Sequence, residues 1–303
     1  MHITDRFHDS KWGVLTHYLS FVQNKAGDLH NQGVGETPWD ECVDGIDVEL
    51  IAETVASTCA SYLFFTMEQG TRYIIAPNKT YDRIVGGGEN TGPSKRDLVL
   101  DLYDALSKRG VDLYLYFTGS GPADDPEHGP RFGFCCGDGE VVTRPFVEKW
   151  AAVLEEYSRR YGDKVKGWWI DGCYREMFGF TDELLDMLYY AAKAGNRDAI
   201  VALNEGVDIR YRKTYANEEF TCGEFDHPTG IPNGRFVDGA QAHMLVPVGP
   251  VWGAPGLQRD GEFLRHCTKC VNLMGGVVTY DIAIYRDGSF DPEQIEALKM
   301  INS

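Results

Sequence analysis

VKGWWIDGCYRE, residues 165–176, drives a run of apolar and aromatic side chains into a single aspartate, Asp171, followed at once by glycine. A short apolar run of this kind, bounded by a turn residue, reads as a strand buried on both faces over 165–171. Strand neighbours point to opposite sides, so one of Trp168 and Trp169 faces the helices and the other the interior. A carboxyl delivered at the end of such a strand is partly desolvated and therefore poised for chemistry, and Gly172 lets the chain turn sharply beyond it.

Outward from that strand the same pattern repeats. Strand-like runs are expected at 12–17, 61–66, 111–117, 199–204, 219–225, 242–248 and 277–282. Helical patterns fall at 48–60, 94–110 with Ser94 as N-cap, 144–162, 181–195 with Thr181 as N-cap, 261–274, and 291–302 with Asp291 as N-cap. Eight strands mostly separated by helices predict an α/β fold, a single (β/α)8 TIM-like barrel over residues 1–303. The competing architecture, an open doubly wound sheet, wants a glycine-rich phosphate loop after its first strand. THYLSF (16–21) is no such loop, and GGGENTG (86–92) does not directly follow a strand.

Composition narrows the partners. A formal net charge of −17 argues against nucleic acid or an anionic membrane, both of which need basic surface. No 18-residue apolar run exists, and MHITDRFHDSKWG lacks the basic and then apolar segments of a signal peptide, so the expectation is a cytoplasmic protein. Eight scattered cysteines read as reduced thiols. HCTKC (266–270) lies in a helical pattern with no second CxxC, so a structural role is expected and no metal.

In a barrel the C-terminal ends of strands form the site. Polar residues at those ends are His17, Glu68, Gln69, Asp171, Asn204, Glu205, Glu224, Asp226 and Asp281, with His243 inside the seventh run. Carboxylates converging with histidine and aromatics suggest sugar chemistry, because two carboxyls flanking a glycosidic bond are the minimum for its hydrolysis. Trp39, Trp169 and Trp252 are candidate platforms for a sugar ring. Water and two carboxylates suffice, so no cofactor is expected, and the partner is an oligosaccharide or glycoside.

DSKWGVLTHYLSF (9–21), SKRDLVLDLYDALSKRGVDLYLYF (94–117), GWWIDG (167–172) and RDGSFDPEQIEALKMIN (286–302) together resemble the retaining α-L-fucosidase family of glycoside hydrolases along essentially the whole chain. The resemblance implies that Asp171 is the nucleophile and His17 a sugar contact. It also implies a barrel without the β-sandwich that the family usually appends. The family's K-H-H-D-G-F segment is here Glu68–Tyr73, its strand-seven W-E pair is Ala242–His243, and Thr229 stands where some members carry the acid/base Glu. The acid/base is therefore chosen on chemistry: Glu224 first, then Asp226, Glu205 and Glu68. Asp281 is expected to pair with Arg286, and Glu218–Glu219 to be surface charge. Alternative readings are a sugar-binding barrel that has lost hydrolysis, a glycosidase of other specificity, and a metal-dependent hydrolase built on His17 and His243.

Overall fold

The computed structural model describes residues 2–87, 92–137, 139–228 and 230–302. Thr229 and residues 88–91 of the GGGENTG stretch lie outside them. Among the described residues nine strands occur: β1 (Trp12–Thr16), β2 (Tyr62–Thr66), β3 (Asp112–Thr118), β4 (Val165–Asp171), β5 (Ile200–Leu203), β6 (Phe236–Val237), β7 (Ala240–Gln241), β8 (His243–Pro247) and β9 (Val277–Asp281). Seven of them form one parallel sheet in the order β5-β4-β3-β2-β1-β9-β8, while β6 and β7 make a small antiparallel ribbon.

Helices cover the outer face of this sheet, as a parallel sheet requires. Arg144–Tyr161 and Asp182–Lys193 flank β4, Val48–Ser57, Leu98–Ser107 and Gly261–Leu273 lie in the β1–β2, β2–β3 and β8–β9 crossovers, and Pro292–Lys299 follows β9. The N-caps at Thr181 and Asp291 are as expected. The helix expected to start at Ser94 is capped instead by Asp97, whose side chain accepts from Leu100 N–H; the Ser94 hydroxyl is occupied by the Arg96 carbonyl. Trp168 packs outward among the helices and Trp169 inward.

The sheet curls around an inner core. Phe7, on the short helix Asp5–Ser10, has ring centroids 5.1 Å from Tyr62, 5.5 Å from Tyr114, 5.1 Å from Phe220 and 5.4 Å from His243. One phenyl ring thus touches β2, β3, β8 and the segment between β5 and β8, which is possible only if the sheet wraps back on itself.

The eighth position differs from expectation. Residues 219–225 are not a regular strand; they make isolated parallel bridges, Phe220 with Gln241 and Glu224 with Leu245. Gly223 explains the irregularity: its φ of +59° belongs to the left-handed region, and a side chain there would run into the His243 carbonyl. On the β5 side, carboxylates take the place of missing carbonyls. Glu219 Oε2 accepts from Val201 N–H at 2.9 Å and Glu218 Oε2 from Leu203 N–H at 3.3 Å. The reading of this pair as surface charge is therefore wrong: Glu218 is buried, and Glu219 also receives the Tyr189 hydroxyl at 2.6 Å and an ion pair from Lys193.

Glu219→Ala leaves a buried strand amide without an acceptor and Lys193 without its counter-ion. It is expected to cost about 2–3 kcal/mol in urea unfolding, whereas Glu219→Gln retains more than half of that. An Ala variant within 0.5 kcal/mol of wild type removes this account of the seam.

Candidate active site

Asp171 is the last residue of β4, and Gly172 beyond it has a φ of +67°, so the chain turns away and leaves the carboxyl at the mouth. Two donors fix it. The Tyr116 hydroxyl on β3 donates to Oδ2 at 2.5 Å, and Asn204 Nδ2 donates to Oδ1 at 2.8 Å. The same Asn204 nitrogen donates to Glu224 Oε2 at 2.6 Å. Asn204 is buried just past β5, and its own N–H is held by the Ile170 carbonyl at 2.7 Å, which ties it to β4.

Two carboxyl oxygens on one nitrogen can be no farther apart than those two bonds laid end to end. That limit falls within the roughly 5–5.5 Å spacing between the carboxyls of retaining glycosidases, and below the roughly 6.5–9.5 Å of inverting ones. Burial pushes Glu224 up to about 8, with the charge of Asp171 adding to it and the Asn204 hydrogen bond opposing it. Burial thus favours the protonated form of Glu224.

A cavity of about 340 Å³ opens over the pair, lined in part by His17, Gln69, Tyr116, Trp169, Leu245 and Trp252. The Trp169 and Tyr116 rings stack at 5.2 Å and 19° to form its inner wall. His17 stands edge-on to Tyr116 at 5.4 Å, with Nδ1 at 3.3 Å from Thr66 Oγ1 and Nε2 at 3.5 Å from Asp281 Oδ1. Asp281 is buried; its Oδ2 accepts from Gly253 N–H at 2.5 Å, and Oδ1 has no hydrogen-bond partner. Burial pushes Asp281 up to about 8 and His17 down to about 4, so the two face each other as a neutral acid and a neutral imidazole. The expected Asp281–Arg286 pair does not form, because Arg286 binds Asn24, Gly35 and Thr37 instead.

Other sequence candidates go elsewhere. His243 opens β8 at the opposite end of the sheet, bonded to Thr221 and Cys222 carbonyls and to Thr279 Oγ1. It cannot join His17 in one site. Trp39 lies beside a separate cavity, with its Nε1 donating to the Ile74 carbonyl at 3.0 Å. Glu205 is held by Arg175 and Arg212. Glu68 is fully buried, pushed up to about 8 by that burial, and its oxygens accept from Gly70 N–H and from Thr118 N–H and hydroxyl. It ties the end of β2 to the end of β3. Asp226 is exposed and does not line the cavity. Tyr116, Asp28 and His30 escaped the sequence reading; for Tyr116 the signal was present, since it ends an inward-facing alternation in VDLYLYF. Among the described residues no cluster of three His, Cys, Asp or Glu side chains has metal-ligand geometry, and no helix is long and apolar enough to cross a membrane.

No family model and no curated relative matches the chain. Solved structures do. An endo-fucoidan hydrolase of glycoside hydrolase family 107, MfFcnA4, superposes with TM-score 0.73 at 14% identity, over 99% of this chain and 54% of its own. A second, P5AFcnA, gives 0.72 at 15% identity over 99% and 92%. The α-L-fucosidase AlfC from Lactobacillus casei, in complex with α-L-fucose, gives 0.67 at 15% over 99% and 96%. The chain shares its fold with these structures. The chain thus spans about half of the first of these relatives and nearly all of the other two.

The buried groups set a pH window for stability. Glu224 and Asp281 have ordinary values of 4.5 and 3.8 and folded values near 8, so their contribution is full at low pH and is lost as pH rises through 8. His17 and His243, lowered from 6.5 to about 4, contribute in the opposite direction and only below 6.5. The melting temperature is therefore expected to fall by several degrees between pH 6.5 and 8.5, and Glu224→Gln or Asp281→Asn to reduce the fall. A flat profile over that window counts against neutral carboxyls in the site.

Proposed function

We propose that this protein is a retaining exo-glycosidase that removes an α-L-fucosyl or closely related residue from a glycoside, with Asp171 as nucleophile and Glu224 as acid/base. The observation that carries the reading is the single Asn204 amide nitrogen shared by both carboxyls. It holds them at a spacing suited to double displacement. The fold shared with fucose-acting hydrolases and the small cavity over the pair support it further.

In the first step the Asp171 oxygen attacks the anomeric carbon while Glu224 gives its proton to the departing oxygen. A covalent glycosyl-enzyme and a free aglycone result. Tyr116 O–H and Asn204 N–H orient the Asp171 carboxylate for attack and stabilise it again as the leaving group of the second step. In the second step the Glu224 carboxylate takes a proton from water, and the hydroxide displaces Asp171. His17 and Gln69 line the sugar space where polar contacts are needed, and Trp169 and Trp252 offer ring faces.

Hydrolysis of a panel of aryl glycosides (α-L-fucoside, α-L-rhamnoside, β-L-arabinoside, α- and β-D-galactoside) tests this directly. At least one is expected to turn over, and Asp171→Asn to lower kcat by about 10³-fold or more. For that substrate kcat/KM is expected to fall about tenfold per pH unit above pH 8, as Glu224 loses its proton. Equal rates in wild type and Asp171→Asn overturn the assignment. Binding of sugars with no turnover of any glycoside selects a barrel that recognises sugars without cleaving them.

A further inference from the structure

The walls of the catalytic cavity are unequal. Toward the inside the polar side chains of Asp171, Glu224, His17 and Gln69 stand beside the stacked Trp169 and Tyr116 rings. Toward solvent the walls are apolar: Leu19, Phe21 and Val22 come from the segment after β1, and Val251, Trp252 and Ala254 from the loop after β8. Phe21 is 46% exposed and Val251 64%, yet both stand at the rim of a cavity that holds two carboxyls. Single exposed apolar residues need no explanation, but a contiguous collar continuous with a site does.

The collar is preformed. Its β8 side is fixed through the Gly253 peptide, whose N–H donates to Asp281 Oδ2 at 2.5 Å and whose carbonyl accepts from His30 Nε2 at 2.8 Å. His30 is braced in turn by Asp28 at 2.7 Å. Trp252 is thus carried next to a peptide clamped at both ends.

The collar also lies on the acid's side. The Glu224 segment is paired with β8, with Phe225 N–H donating to the Leu245 carbonyl at 2.9 Å, so the proton donor adjoins the wall built by Leu245, Val251 and Trp252. The leaving group departs on the side from which it is protonated. Charge narrows the substrate further, because among the described residues no lysine or arginine lines the cavity, whereas the acidic side chains of Asp28 and Asp171 do. Nearby arginines are committed elsewhere: Arg175 to Asp182 and Glu205, Arg212 to Glu205 and Asp208, and Arg259 to the Pro247 and Asp226 carbonyls. A polyanionic substrate would meet like charge and no counter-ion.

The geometry points to a substrate with a neutral sugar and an apolar aglycone, recognised by the collar of Phe21, Val251 and Trp252, rather than a sulfated or otherwise anionic glycan. This rests on the glycosidase reading above and specifies its substrate class. The cavity volume of about 340 Å³ agrees, being near the lower limit of the roughly 300–1,000 Å³ of small-molecule sites and unlike an open polymer cleft.

The test compares 4-methylphenyl and 4-hexylphenyl glycosides of the sugar that the aryl panel selects, α-L-fucoside first. Their phenols are of near-equal acidity, so the demand on Glu224 is matched and the difference reports the collar. The hexyl compound is expected to have kcat/KM at least tenfold higher, carried mainly by KM. The double variant Phe21→Ser/Val251→Ser is expected to bring the two substrates within twofold of each other. A sulfated fucan oligosaccharide is expected to be a poorer substrate than either. A wild-type ratio within twofold, or faster turnover of the sulfated oligosaccharide, overturns the apolar recognition while leaving the hydrolase standing. Absence of turnover on every glycoside removes the hydrolase and this inference together.

Discussion

The seam between β5 and β8 is the constraint on which the rest of the structure depends. A parallel sheet of seven strands leaves two edges of unpaired backbone groups, and a buried amide without an acceptor costs about 1–3 kcal/mol. Residues 218–225 resolve this with mixed means: two carboxylates accept from β5, and two backbone bridges pair Phe220 with Gln241 of β7 and Glu224 with Leu245 of β8. The Gly223 kink lets one short segment serve both neighbours. It also sets where Glu224 arrives. A regular strand would continue the alternation, whereas the kinked segment delivers this carboxyl to the Asn204 amide beside Asp171. Closing the sheet and assembling the acidic pair are the same structural event.

Holding several acids in one mouth has a cost that the fold meets in different ways. Glu68 is buried without a cation and is answered by three hydrogen-bond donors. Glu219 has a lysine and a tyrosine. Glu224 and Asp281 have less, one shared amide and one backbone N–H, and in all three of Glu68, Glu224 and Asp281 burial outweighs the donors and pushes the carboxyl up to about 8. Desolvation of a carboxyl exceeds what a single neutral donor returns.

Much of the fold was legible because parallel strands announce themselves as apolar runs: six of the seven sheet strands fall within the runs read from the chain, and β3 passes its run by one residue, Thr118. Asp171 and Glu224 were legible for a related reason, each being an acid at the end of an apolar run. The failures share a physical origin. His243 lies in a strand run like the others, but it opens the strand, and the end of a strand facing a site is set by topology. Glu218 and Glu219 read as surface charge because their partners, Val201, Leu203, Tyr189 and Lys193, are distant in sequence. Asp281 was given to Arg286 by proximity in the chain, yet the intervening turn carries the guanidinium to Asn24 and Thr37. Asn204 was placed at the right strand end, but its bridging role needs two carboxyls whose meeting no local pattern encodes.

The central claim is that Asp171 forms a covalent bond to the sugar. Its most direct test is trapping with a 2-deoxy-2-fluoro-α-L-fucosyl fluoride, which slows the second displacement more than it slows the first, followed by intact-protein and peptide mass spectrometry. The account predicts one added glycosyl group per chain, on the peptide containing Asp171, and none on Asp171→Asn. Turnover of a glycoside with label on another residue, or with no trapped adduct and an inverted anomeric product, would contradict it.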